Sequence, residues 1–172
     1  MEYQSFLIKY AEIGIKGKNR YLFEDALVKQ INHALKSVDG GFLVTKEAGR
    51  IYAQASKPFD FDEAVEALKK VFGIAAICPM VQIEDKGYAD LKEQVKAYID
   101  QVYPDKHFTF KVAARRANKH YPVTSDQINR DLGEVILETY PETKVDVHNP
   151  DVLLHVEVRQ KINLFSETIP GP

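Results

Sequence analysis

The chain has 172 residues, with 23 Lys and Arg against 25 Asp and Glu, a formal net charge of -2 and a pI of about 6.2. This balance excludes a domain that is basic overall, so any nucleic-acid site must come from local charge. The 45% hydrophobic share, the single cysteine and the absence of a long apolar run predict a folded, soluble, cytoplasmic protein without disulfides or membrane spans.

The first half of the chain alternates strand and helix patterns. Residues 5–10 form an apolar run typical of a strand, and a helical stripe begins at Phe23 and ends before Gly40 and Gly41. Two short strands follow at residues 42–46 and 51–55. A second helix, with Asp60 or Asp62 as its N-cap, is predicted by the apolar stripe Ala64, Val65, Leu68, Val71 and Phe72. Residues 76–83 complete a βαββαβ order, which predicts a ferredoxin-like domain over residues 1–83.

The second half has a different element order. Apolar spacing predicts a helix from Tyr88 to Val102 that Pro104 ends, followed by an alternating strand at residues 108–114. Thr124 and Gln127 form a capping-box pattern that starts another helix. Three short strands are then expected at 144–148, 152–158 and 162–165. The chain is therefore predicted to be α+β, with an αβαβββ domain over residues 84–168 packed against the first.

A first group of cations lies between the opening strand and helix. Lys16, Lys18 and Arg20 fall within five residues, and Asn19 is a reasonable N-cap. Backbone N–H groups and side-chain charges would then converge at a helix N-terminus, where anions bind well. The alternative is an ordinary solvated loop, and the Walker A spacing is not met.

A second group lies in residues 106–125, which contain five Lys or Arg and no Asp or Glu. Arg115, Arg116, Lys119 and His120 fall after a strand and before a capped helix, a position suited to phosphate oxygens. Tyr121 is a candidate for stacking on a base. The alternative is an exposed basic loop in which Tyr121 is a packing residue.

Neither a metal site nor a complete active site is predicted. The five histidines lack metal-ligand spacing, and Cys78 stands in an apolar run where a buried, inert thiol is expected. No catalytic residue is therefore assigned, and no cofactor is expected in these residues.

The two basic segments, in this order, resemble the tRNA 4-thiouridine synthases, also called thiamine biosynthesis sulfurtransferases. The first carries Ile8-Lys9-Tyr10-Ala11-Glu12-Ile13-Gly14-Ile15-Lys16-Gly17-Lys18-Asn19-Arg20, with Ala11 where the family usually has glycine. The second half is similar to a THUMP domain, through Phe110-Lys111-Val112, Arg115-Arg116, Lys119-His120-Tyr121-Pro122, Leu132-Gly133, Asn149-Pro150-Asp151-Val152 and Val156-Glu157-Val158-Arg159.

This resemblance implies that the chain is the tRNA-binding front end of an ATP-dependent tRNA sulfurtransferase. The THUMP domain would hold the acceptor stem and 3′ end of tRNA while the ferredoxin-like domain flanks them. Lys16, Lys18, Asn19 and Arg20 of the ferredoxin-like domain would meet one backbone segment, and Arg115, Arg116, Lys119 and His120 of the THUMP domain would meet another. Residues 169–172 would begin a connector to a PP-loop catalytic domain, whose Ser-Gly-Gly-x-Asp-Ser motif is missing here. ATP with Mg, a cysteine desulfurase partner, a link to thiamine synthesis and a possible homodimer are expected of the full enzyme only, so this fragment should be inactive alone.

Two other functions compete with this interpretation. THUMP domains also precede other tRNA-modifying modules, although the Lys16-Gly17-Lys18-Asn19-Arg20 element favours the sulfurtransferases. Ferredoxin-like domains also serve as small-molecule sensors or protein-interaction modules. That alternative suits the acidic net charge but leaves the carboxylate-free stretch unexplained.

Overall fold

The computed structural model describes residues 2–10, 18–47 and 49–172 and divides the chain into two compact units. One unit comprises Tyr3–Met80 with Thr168–Pro172, and the other comprises Val81–Glu167 with Glu2. No helix in the described ranges has the length and apolar character needed to cross a membrane.

The first unit has the predicted ferredoxin-like order. Its elements are β1 (Ser5–Tyr10), α1 (Lys18–Leu35), β2 (Leu43–Glu47), β3 (Arg50–Gln54), α2 (Phe61–Lys69) and the first part of β4 (Ile74–Ile83). The strands form an antiparallel sheet in the order β2-β3-β1-β4. Phe6 and Ile8 of β1 share one buried core with Ile31 of α1 and Leu68 of α2. Burial of these side chains, worth about 1.5–3 kcal/mol each, holds the helices on the sheet.

The end of α2 corrects one predicted core residue. Asp60 is the N-cap, since its side chain accepts a hydrogen bond from Glu63 N. Phe72, however, is 87% exposed. The helix ends at Lys69, so the 3.6-residue spacing that would direct Phe72 inward no longer applies beyond that point.

The second unit has the predicted αβαβββ order. Its elements are α3 (Tyr88–Val102), β5 (Thr109–Arg116), α4 (Ser125–Thr139), β6 (Lys144–Val145), β7 (Val152–Val158) and β8 (Ile162–Phe165). β5 pairs in parallel with β6 and β7, β7 pairs antiparallel with β8, and residues 81–83 of β4 pair with β8. The strand expected at 144–148 covers only two residues. Asp146 Oδ1 accepts the N–H groups of His148 and Asn149 at 3.0 Å, which turns the backbone out of the ladder.

The last residues of the chain form a further strand. Ile169 and Pro170 form β9, which pairs antiparallel with Ile77 and Ala76 of β4. Gly171 N donates to Ala75 O at 3.0 Å, and a Cβ at Gly171 would lie 1.9 Å from Ile74 O. Residues 169–172, expected to begin a connector, are thus packed against the first unit, and glycine is what permits this close approach.

Candidate nucleic-acid interface

The first basic segment lies partly outside the described residues. Lys16 falls outside them, and Lys18 is the first residue of α1. Asn19 is exposed in the first helical turn, so it is not the N-cap that the sequence predicted. Arg20 and Glu24, one turn apart near the start of α1, both contact Tyr10 of β1.

Arg20 is turned towards the body of its unit. It hydrogen-bonds the Tyr10 side chain, and Tyr10 Oη donates to Glu24 Oε2 at 2.5 Å. Burial and the Glu24 contact raise the Tyr10 pKa, while Arg20 opposes that rise. Arg20 Nη2 also lies against Gly49, where a Cβ would come within 2.8 Å of it. Gly49 has a φ of 82°, so glycine suits this turn for both conformation and space. Arg20 therefore fastens the start of α1 to β1 and to the β2–β3 turn.

Arg115 and Arg116 lie on opposite faces of their sheet, because successive side chains of a strand alternate. Arg116 is opposite Val158, whose face carries the core residues Val112, Leu154 and Val156. Arg115 is opposite Glu157 on the other face and is exposed. The two arginines, although adjacent in the sequence, therefore cannot act together on one face of the sheet.

Arg116 holds the loop that follows β5. Its Nη1 donates to the carbonyl oxygen of Tyr121 at 2.8 Å. The same loop is tied to β7, since Ala117 N and Asn118 N both donate to Val158 O, at 2.9 and 3.2 Å. Tyr121 is only 5% exposed and is therefore not accessible for stacking on a base, which corrects the stacking prediction. Burial is also the main cause of the raised Tyr121 pKa.

Three groups of the second segment remain directed to solvent. Arg115, Lys119 and His120 are exposed, and none of them forms a side-chain ion pair within the described ranges. The backbone N–H of His120 donates to Asn118 Oδ1 at 3.1 Å, which fixes its place in the loop. Arg115 and Lys119 therefore present positive charge to solvent at the carboxyl end of β5, without an ion-pair partner among the described residues.

The two helices of the second unit add positive potential at the same end. Tyr88 Oη donates to Asp131 Oδ2 at 2.8 Å, and Tyr140 Oη donates to Lys96 O at 2.9 Å. The first contact joins the start of α3 to the first half of α4, and the second joins a later residue of α3 to the residue that follows α4. Because the contacts progress in the same direction along both helices, α3 and α4 run parallel and their N-termini lie at the same end of the unit. Each N-terminus carries about half a positive charge from the helix dipole. Thr124 caps α4 directly after the loop with Lys119.

Two cations that the sequence did not single out also lie at this end. Because β7 is parallel to β5, its carboxyl end and the β7–β8 turn with Arg159 and Lys161 come beside the Ala117–Asn118 backbone. Arg159 Nε is 4.0 Å from Glu157 Oε1, and Lys161 Nζ is 3.3 Å from Glu84 Oε1. These acidic partners partly neutralise the positive charge that Arg159 and Lys161 bring to this end. In the sequence, two strands on either side of a capped helix predict a parallel pair joined by that helix. This prediction would have placed Arg159 and Lys161 beside the loop that follows β5.

Comparison with known proteins assigns both units. Residues 5–78 match the family model described as ThiI ferredoxin-like domain, and residues 86–166 match the one described as THUMP domain. A relative named probable tRNA sulfurtransferase from Agathobacter rectalis is 57% identical over 170 residues, or 99% of this chain and 43% of the relative. Its counterpart from Lachnospira eligens is 56% identical over 171 residues, or 99% of this chain and 44% of the relative. The chain thus spans less than half the length of these relatives.

Solved structures agree with this assignment. A 4-thiouridine synthetase in complex with RNA and bound ATP has a TM-score of 0.80 and 32% identity, covering 99% of this chain and 42% of that one. The protein PH1313 from Pyrococcus horikoshii has a TM-score of 0.77 and 28% identity, covering 98% of this chain and 55% of that one. The chain therefore carries a ThiI ferredoxin-like domain followed by a THUMP domain, and it is similar over nearly its whole length to part of the proteins named tRNA sulfurtransferases.

Proposed function

We propose that this chain binds tRNA and positions it for an ATP-dependent sulfurtransferase that makes 4-thiouridine. The observation that carries the proposal is the end of the THUMP unit where exposed Arg115 and Lys119, which form no ion pair with any described residue, lie beside two parallel helix N-termini. Such an end attracts phosphate oxygens through side chains and backbone dipoles together. The similarity to a protein solved with RNA supports this choice of ligand.

The form of RNA follows from the kind of groups available. Cations and helix ends contact phosphates but do not read bases, which suits an A-form duplex whose major groove is too narrow for side chains. We propose the acceptor stem with its 3′ end as the bound region. Lys16, Lys18 and Asn19 would contact a second stretch of backbone, and His120 would contribute beside Lys119.

Chemistry would belong to a different part of the enzyme. We propose that ATP and Mg bind a catalytic domain beyond these residues, that a cysteine desulfurase delivers the sulfur, and that the same enzyme supplies sulfur for the thiamine thiazole. In this proposal the full-length enzyme works in the cytoplasm, and any homodimer is formed by the full-length protein. The present chain alone has no thiolation activity. The relatives' names and lengths support the assignment to a sulfurtransferase fragment.

Binding of the chain to whole tRNA at several salt concentrations tests the proposal. We expect log affinity to fall with log salt with a slope of about -3 to -6, as expected for four to six phosphate contacts. The variant Arg115→Glu with Lys119→Glu should bind about 100-fold more weakly, since two attractive charges become repulsive near phosphates.

A matched control makes the result specific. Lys36→Glu with Lys70→Glu makes the same change in net charge at exposed lysines outside both basic segments, and it should bind within about twofold of wild type at moderate salt. Equal losses in both double variants, or a flat salt response, would favour a sensor or protein-interaction module instead.

A further inference from the structure

A groove of about 1090 Å³ runs between α1 and α2 on the helical face of the ferredoxin-like unit. Its floor is apolar, since Val71 belongs to the core of the unit and Ala34 and Ala67 pack against that core. Phe72 also lines the groove, with its side chain almost entirely in solvent. A concave apolar surface beside a large exposed aromatic side chain is more typical of a protein-binding site than of ordinary surface.

The two helices that form the walls of the groove run antiparallel. Gly40 follows α1 and lies against Phe59, which precedes α2, because a Cβ at Gly40 would be 3.0 Å from Phe59 Cβ. Beyond the other end of α2, a Cβ at Gly73 would be 3.4 Å from Phe23 Cζ in the first half of α1. The end of α1 is therefore beside the start of α2, and Phe72 marks the opposite end of the groove.

The walls of the groove carry unequal charge. The α1 wall presents Lys29, His33 and Lys36 and has no carboxylate among its lining residues. Lys70 adds a third lysine two residues before Phe72. The three lysines are exposed, and none of them forms an ion pair with a described residue. Their positive charge is therefore directed to solvent along the α1 side and at the Phe72 end of the groove.

A peptide helix suits this charge pattern better than RNA does. Glu63 and Glu66 line the α2 wall, and Lys69 Nζ, 3.8 Å from Glu66 Oε1, offsets only one of them. A nucleic-acid backbone is negative along its whole length, so its phosphates would meet both glutamates as well as the lysines. An amphipathic helix can instead place carboxylates towards α1 and apolar side chains over the floor. Residues 29–37 of the α1 wall extend about 12 Å, or two turns of such a helix.

We propose that the groove between α1 and α2 binds an acidic amphipathic helix of a partner protein. Carboxylates of that helix face Lys29, Lys36 and Lys70, and an aliphatic or aromatic side chain packs on Phe72 and the apolar floor. Burial of Phe72 supplies most of the affinity, while the lysines select the partner and its orientation. The interaction involves none of the residues proposed to contact tRNA.

Two synthetic peptides of about 16 residues, long enough to be helical, test the inference. The acidic peptide has leucines on one helical face and glutamates on the other, and the basic peptide has lysine in place of every glutamate. Wild-type chain should bind the acidic peptide about tenfold more tightly than the basic one. The backbone amide signals of residues 29–37 and 63–72 should shift in NMR spectra when the acidic peptide is added.

Charge reversal in the groove should remove this preference. Lys36→Glu with Lys70→Glu should bind the acidic peptide about 30-fold more weakly than wild type, since two attractive charges become repulsive. Arg115→Glu with Lys119→Glu makes the same change in net charge in the THUMP unit and should bind this peptide as wild type does. The two double variants should show the reverse order of losses with tRNA.

Truncation of the exposed aromatic residue tests the apolar contact. Phe72→Ala should weaken binding of the acidic peptide about tenfold, because it removes the large side chain on which the peptide packs. Leu43→Ala is the matched control, since Leu43 is 64% exposed and lies outside the groove, and it should bind as wild type does. Both side chains are in solvent, so circular dichroism should show that both variants fold.

Three results would overturn the inference. The first is equal affinity of wild-type chain for the two peptides, or no binding of either. The second is a concentration-dependent dimer of the chain that Phe72→Ala abolishes in sedimentation, which would make a second copy the occupant. The third is a loss of tRNA affinity in Lys36→Glu with Lys70→Glu as large as its loss of peptide affinity. Failure of the proposed function is a separate result, because tRNA binding is measured without peptide.

Discussion

The two basic segments use arginine in the same way despite lying in different folds. In the ferredoxin-like unit, Arg20 contacts Tyr10 and lies against Gly49. In the THUMP unit, Arg116 contacts the Tyr121 carbonyl. Each arginine fastens its segment to the surrounding unit. A guanidinium suits this role because its several donors keep a fixed planar geometry.

The segments differ in what remains for a ligand. The THUMP segment presents exposed Arg115 and Lys119 beside parallel helix ends. In the described part of the first segment, Asn19 is the exposed polar group, and Arg20 is half-buried. A count of cations in the sequence therefore overestimates the number available to a ligand, since some cations are engaged within the fold.

We expect the largest difference between an arginine available to a ligand and an arginine engaged within the fold when Arg115→Gln is compared with Arg116→Gln. Arg115→Gln should weaken tRNA binding about tenfold and make the salt slope shallower by about 0.7 to 0.9, with stability unchanged. Arg116→Gln should lower the free energy of unfolding by about 1.5 to 3 kcal/mol, because it removes a charged donor from a carbonyl. Salt-dependent binding and urea unfolding measure both. If Arg116→Gln changed the salt slope as much as Arg115→Gln does and lost no stability, Arg116 would be shown to contact phosphate.

A smaller effect is expected in the first segment. Lys16→Ala with Lys18→Ala should weaken binding by a few-fold, similarly for different tRNAs, and make the salt slope shallower by about 1.5. Arg20→Ala should instead lower the free energy of unfolding by about 1 to 2 kcal/mol through loss of its contacts with Tyr10. Thermal unfolding and filter binding separate the two outcomes. An Arg20→Ala chain of normal stability but reduced salt slope would contradict the anchoring role.

Asp131 is expected to make the stability of the THUMP unit modestly dependent on pH. Hydrogen bonds from Tyr88 and Gln127 lower its pKa below the usual value. A lowered carboxyl pKa contributes stability above the unfolded pKa of about 4, and that contribution is lost as the pH falls through the folded pKa. Asp131→Asn should therefore be less stable than wild type at pH 6, with a difference that shrinks below pH 4. A constant difference measured by unfolding from pH 6 to pH 3 would contradict this linkage.

The smallest effect is expected from Tyr121→Phe. The buried Tyr121 hydroxyl has no hydrogen-bond partner among the described residues. Removing it should leave stability unchanged or raise the free energy of unfolding by up to about 1 kcal/mol, since an unsatisfied buried group is costly. Affinity for tRNA should not change, because the ring is not accessible to a base. A clear loss of affinity in a stable Tyr121→Phe chain would restore this residue to the binding site.

Much of the fold follows from local pattern. Apolar spacing located the four helices of the described residues, and the caps at Asp60 and Thr124 are formed as predicted. Phe72 was misplaced because the helix ends before it, and β9 was missed because two residues carry no periodicity. The site was predicted less completely, since Arg159 and Lys161 reach it only through the parallel pairing of β5 with β7.

The order of the elements, the two domain types and the position of both basic segments along the chain could all be predicted from the amino-acid sequence. These features depend on neighbouring residues, whose periodicity and capping act over a few positions. The tertiary structure adds that Arg20 and Arg116 are engaged within the fold, whereas Arg115 and Lys119 are exposed and form no ion pair with any described residue. Those outcomes depend on contacts across strands and between helices, which bring together groups far apart in the chain.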